Sequence, residues 1–123
     1  MIGGSSVSSR SYNLDERTFV FARGVRDFIK AIPYTLSNKE YGRQIIRSSA
    51  SVGANYIEAD ESLSRKDFMM RIKICRKEAK ESIYWFKLIE VDSGVLEKER
   101  DGLLCEAGEL MKIFGSIIRK SEG

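Results

Sequence analysis

Three sets of side chains in this 123-residue chain could do chemistry: carboxylates, two cysteines and rows of cations. Glu58, Asp60 and Glu61 crowd together, and Glu78 and Glu81 follow downstream. Paired carboxylates can act as general acid and base or hold a hard cation. The chain contains no histidine. That removes most zinc sites, the triads that need an imidazole base, and the usual di-iron bundle motif. The expected role of these groups is therefore structural. Asn55 and Glu58 are expected to join a partly buried polar network with Arg or Lys of a neighbouring helix and so fix its register. Neither catalytic residue, metal nor cofactor is expected, and an enzyme built on Glu58, Glu78 and Glu81 is the least favoured reading. Cys75 falls on an apolar helix face and is expected to be a small buried hydrophobe. Cys105 falls off the core face. Two cysteines are too few for a disulfide framework, which points to a reducing compartment.

The cations are more suggestive. Lys39, Arg43 and Arg47 are four apart and make a drifting row. Lys73, Arg76, Lys77 and Lys80 lie on one side of a later helix, and Arg23, Arg26 and Lys30 form a third row. Such rows can track a phosphate backbone, each contact releasing counterions. A solvated face with local ion pairs, such as Lys77 with Glu81 four residues on, is the plainer alternative. Formal net charge is +3, split unevenly. Residues 1–90 carry 16 basic and 11 acidic side chains; residues 91–123 carry 5 and 7. No zinc finger or RNA-recognition signature is present.

Four helical patterns must position these groups. Residues 1–13, rich in Ser and Gly, read as a flexible tail without a targeting segment. No apolar run reaches membrane-spanning length. The first helix is expected over about 15–32, with Phe21, Val25, Phe28 and Ile32 on one face and Pro33 ending it. The second begins with a capping box, Ser37 to Glu40, and buries Tyr41, Ile45, Ser48, Val52, Asn55 and Ala59. The third is capped by Ser64, buries Phe68, Ile72, Cys75, Ala79, Ser82, Ile83 and Phe86, and is expected to close at Gly94. The fourth runs from about 97 to 120 with Leu103, Ala107, Leu110, Phe114 and Ile117 in phase. Short connections imply one all-α domain over 14–120, an antiparallel up-down-up-down four-helix bundle.

The middle helices carry more apolar surface than one bundle can bury. Ile46, Ala50, Gly53 and Ile57 lie off the second helix's core face; Met70, Ile74, Tyr84, Trp85 and Leu88 lie off the third's. These residues are expected to form contacts between copies of the chain. The small residues around Gly53 also suit close helix approach. Because Lys73, Lys77 and Lys80 share a side with Met70, Ile74 and Tyr84, cations and subunit contact compete for that surface.

The run Arg47-Ser48-Ser49-Ala50-Ser51-Val52-Gly53-Ala54-Asn55-Tyr56-Ile57-Glu58-Ala59 resembles the signature of a bacterial family. Ser64-Arg65-Lys66-Asp67-Phe68 and Lys77-Glu78-Ala79-Lys80-Glu81-Ser82-Ile83-Tyr84-Trp85 follow in the same order. The family comprises proteins encoded in intervening sequences of large-subunit ribosomal RNA genes, and the resemblance covers about residues 19–118. One departure is Ala59, where many members have glycine. The resemblance implies a cytoplasmic, non-enzymatic bundle assembling into a ring, typically a homopentamer. Distant relatives are accessory proteins of retroelements, which bind a reverse transcriptase and nucleic acid through a positively charged barrel. The expected function is thus a homo-oligomeric scaffold binding RNA, DNA or a ribonucleoprotein through Lys39, Arg43, Arg47, Lys73, Arg76, Lys77 and Lys80. A protein-interaction module, such as a reverse-transcriptase accessory protein without direct nucleic-acid contact, is the rival.

Overall fold

The computed structural model describes residues 13–122. Four α-helices make up nearly all of that span: α1 Leu14–Ala31, α2 Leu36–Asp60, α3 Arg65–Leu88 and α4 Gly94–Glu122. The tail expected over 1–13 lies, apart from Asn13, outside the described residues. α1 is neighboured by α2 and α4, α2 by α3, and α3 by α4. The four therefore close a ring of pairwise packing around a shared core, a helical bundle.

α1 buries Leu14, Thr18, Phe21, Val25 and Phe28, the spacing of a single helical stripe. Asp15 and Glu16 sit in its first turn, where the helix dipole favours negative charge. α2 and α3 pack along a common seam. Val52 meets Cys75, whose Sγ–H donates to the Val52 carbonyl at 3.3 Å, and Tyr41 stacks on Trp85 at 6.0 Å. Ser48 and Ser82 share a hydrogen bond of 2.8 Å within this seam, so their burial leaves no hydroxyl unpaired. Phe86 reaches across the middle to α1, its ring 6.4 Å from Phe21 and 6.3 Å from Phe28. Gly53 serves close approach within the chain: a Cβ there would meet Thr18 Oγ1 at 2.9 Å.

Three helix boundaries differ from the sequence expectation. α2 is capped by Thr35, not by a Ser37–Glu40 box. The Thr35 hydroxyl accepts from the Asn38 amide at 3.1 Å, and Ser37 lies inside the first turn. α3 does not run on to Gly94; it stops at Leu88. Ile89 turns extended and is buried, which lets the Glu90 backbone meet Asn38. Gly94 instead opens α4, three residues earlier than expected, because the Ser93 hydroxyl accepts from the Leu96 amide at 3.1 Å. The Ser64 cap stands as expected, accepting from the Asp67 amide at 3.1 Å.

Candidate nucleic-acid interface

The seven cations expected to bind nucleic acid divide into three groups. Two are engaged within the chain. The Arg47 guanidinium lies 3.5 Å from Glu78 and also hydrogen-bonds Glu81, and Lys73 pairs with Glu122 at 3.3 Å. Lys39 and Arg43 line a small apolar pocket between α1 and α2, beside Ile29, Ile32, Pro33 and Ile46. Arg76, Lys77 and Lys80 stay together, in a groove of about 610 Å³ between α3 and α4. On α1, Arg26 pairs with Asp27 at 3.0 Å and Arg23 lies over the Phe19 ring at 5.4 Å, so that row does not extend the groove.

The groove holds two further cations that the sequence rows did not include, Lys112 and Arg119 of α4. They are seven residues apart, two helical turns, so they share one face of their helix. That spacing was the available signal; α4 is weakly acidic over its length and two isolated cations do not read as a row. None of the five groove cations takes part in any ion pair among the described residues. The remaining lining residues are Met111 and Gly115. Five like charges along one cleft, without a carboxylate between them, create a local positive potential that favours a polyanion.

The polar contacts of the carboxylates have a different membership from that expected. Asn55 joins α3 as foreseen, its Oδ1 accepting from Arg71 at 3.0 Å. Glu58 is exposed and makes no such link. Glu78 is the buried carboxylate, at 7% exposure; its Oε1 has no hydrogen-bond partner among the described residues and lies 3.5 Å from Arg47 Nη1. Glu81 pairs with Arg47, not with Lys77, and accepts from the Trp85 indole at 3.3 Å. Arg17 and Glu106 form a two-pronged pair, at 2.7 and 2.9 Å, that ties α1 to α4 and raises the Arg17 pKa. Among the described residues no group of three His, Cys, Asp or Glu side chains is placed to hold a metal.

Cys75 is fully buried, and burial pushes its thiol pKa up to about 12; Cys105 is exposed. A thiol reagent at neutral pH is therefore expected to modify Cys105 alone in the folded protein and both cysteines in denaturant. The raised Cys75 pKa also has a sign for stability. The unfolded thiol begins to ionise near 9 while the folded one holds its proton, so stability falls as pH rises from about 9 towards 12. Melts of a Cys75→Ala variant across that window should show a shallower decline than wild type.

The residues expected between subunits are partly exposed. Ile46, Ile57, Met70 and Tyr84 are exposed, as is Ala50, whereas Gly53, Ile74, Trp85 and Leu88 are half-buried within the chain. Phe19 and Val20 of α1 add to the exposed apolar surface, and Phe19 lines a groove with Ala50, Ala54 and Ile57.

An all-helical bundle with a basic groove, and with no candidate metal cluster among its described residues, defines a class of small helical proteins, not a particular chemistry. A family model described as 23S rRNA-intervening sequence protein matches residues 11–116, and the chain belongs to that family. It is also similar to a crystal structure of a protein with unknown function from the S23 ribosomal protein family of Bacteroides thetaiotaomicron. That likeness has 28% identity and a TM-score of 0.73, covering 89% of this chain and 97% of the other. No curated protein matches the chain. Among the described residues no helix is long and apolar enough to cross a membrane.

Proposed function

We propose that this chain is a non-enzymatic, cytoplasmic subunit of a homo-oligomeric scaffold, and that the scaffold binds RNA or a nucleoprotein through basic helix faces. In this reading each subunit is an antiparallel up-down-up-down bundle, and the subunits close into a ring, with five as the expected number. The observation that carries the nucleic-acid part is the α3–α4 groove, where Arg76, Lys77, Lys80, Lys112 and Arg119 stand without ion-pair partners among the described residues. Exposed Ile46, Ile57, Met70 and Tyr84 support self-association, since apolar side chains that join into a contiguous exposed patch mark interaction sites.

The rival reading, a protein-interaction module, is favoured by the apolar pocket at Ile29, Ile32, Pro33 and Ile46, flanked by Lys39 and Arg43. One experiment separates the two. Protein purified without nuclease is passed through size exclusion with light scattering and absorbance at two wavelengths. A multi-subunit mass with excess nucleic-acid absorbance is the expected result. A clean oligomer free of nucleic acid would transfer the function to the rival, and a clean monomer would overturn the scaffold.

A further inference from the structure

Resting on the nucleic-acid reading above, we infer that the α3–α4 groove grips the phosphodiester backbone of a double helix and reads no bases. The first ground is the composition of the groove. Five of its lining side chains are cations, and the other two are Met111 and Gly115. Single-strand binding sites gain much of their affinity from aromatic side chains on which bases stack. This groove lines itself with none, and it carries no Asn, Gln, Asp or Glu, which leaves guanine as the one base whose edge its Arg and Lys side chains match. Everything it offers suits a phosphate.

The second ground is how the cations are placed. They stand in two rows on neighbouring helices. Arg76 to Lys80 spans about 6 Å along α3, and Lys112 to Arg119 about 10 Å along α4, at 1.5 Å per residue. The rows thus flank a channel that runs along both helices. At its floor the arms of Arg76 and Arg119 both pass close to Gly115. The position a Gly115 Cβ would occupy lies 3.4 Å from Arg119 Nη1 and 3.8 Å from Arg76 Cδ. Among the described residues no carboxylate lines the groove, so an incoming anion meets no like charge there.

The third ground is charge density. A duplex presents one charge per about 1.7 Å of its axis, which a single strand does not match. With base stacking absent from the site, density decides, and the duplex wins.

The test is fluorescence anisotropy on the intact protein. The probes are a short blunt RNA duplex, either of its strands alone, and a second duplex of scrambled sequence. Salt is varied from about 50 to about 200 mM. The duplex is expected to bind more tightly than the strand, both duplexes equally, with a log–log salt slope approaching −4.5 per chain if all five cations engage, an upper figure of about 0.9 per contact. Lys112→Ala with Arg119→Ala should flatten that slope by about 2 and weaken both duplexes alike. Both residues are exposed, so the melt of this variant should match wild type. Lys87→Ala with Lys98→Ala, two exposed cations outside the groove, should leave binding unchanged. Tighter binding of the single strand, a difference between the two duplexes, or an unaltered slope in the Lys112/Arg119 variant would overturn the inference while leaving nucleic-acid binding intact. Displacement of the duplex by inorganic polyphosphate at equal phosphate concentration would overturn it too, by assigning the groove to polyanions in general. Failure of every probe to bind would instead overturn the reading on which it rests.

Discussion

Replacing Asn38 with alanine is expected to destabilise the bundle by about 3 kcal/mol, a fall in Tm on the order of 10 °C for a domain of this size. Asn38 is 2% exposed, and its side chain serves two separate turns. Its amide nitrogen donates to the Pro33 carbonyl at 3.0 Å and to the Glu90 carbonyl at 2.8 Å. Its oxygen accepts from the Glu90 amide at 2.9 Å. One side chain therefore satisfies three backbone groups and joins the α1–α2 connection to the α3–α4 connection. Alanine removes all three bonds and leaves the partners to find water at a closed end of the bundle. Asn38→Asp makes the test sharper. It keeps the acceptor for Glu90 N–H but points a carboxylate at two carbonyl oxygens. At neutral pH it should destabilise at least as much as alanine. In acid, where the carboxyl can donate, part of the loss should return. Thr35→Ala, which removes only the adjoining cap, should cost about 1 kcal/mol. Thermal melts of the three variants decide. An Asn38→Ala melt equal to wild type would mean that the two turns hold without this link.

The history of Asn38 shows what the sequence could and could not convey. Periodicity placed Phe21, Val25, Phe28, Ile45, Val52, Ile72 and Phe114 in the core, because burial repeats every three or four residues whatever the partner helix is. The Ser64 cap was legible for the same local reason. Asn38 was not, since two of its three bonds go to Glu90, 52 residues away, and nothing in its own neighbourhood signals them. The same blindness moved the end of α3: Gly94 is a good helix stop, but the chain leaves the helix earlier to bury Ile89 and meet Asn38. At the α2 start, Thr35 and Ser37 are both competent caps, and only the extended backbone at Thr35 distinguishes them. The cation rows were legible as charge but not as availability. Arg47 and Lys73 are committed to Glu78 and Glu122, contacts that no spacing rule announces. Lys112 and Arg119 complete the groove only because α4 packs beside α3.

Phe86→Ala is expected to have the largest effect on stability, about 3–5 kcal/mol. Phe86 is fully buried, and its ring meets Phe21 edge-on and Phe28 at a tilt, so it is the side chain through which α3 reaches α1 across the bundle. Its neighbours in the core are themselves fixed by packing from all four helices, which limits how far they can collapse into the space left behind. The loss is large against the total of about 5–15 kcal/mol that holds an ordinary domain folded. Phe86→Leu retains most of the apolar contact and should cost well under half as much. Denaturant titration distinguishes a weakened native state from a changed one. The expected signature is a lower midpoint at an unchanged slope, with helical circular dichroism retained in the absence of denaturant. A cost below about 1 kcal/mol would mean that the rings of Phe21 and Phe28 close over the gap, and that α1 is held by its seams with α2 and α4 alone. Because Arg17 is bound to Glu106 at 2.7 Å on the α4 seam, combining Phe86→Ala with Arg17→Ala tests that directly. If Phe86 is the principal tie to α1, the double variant should lose about the sum of the two single costs, and the two seams should not compensate for each other.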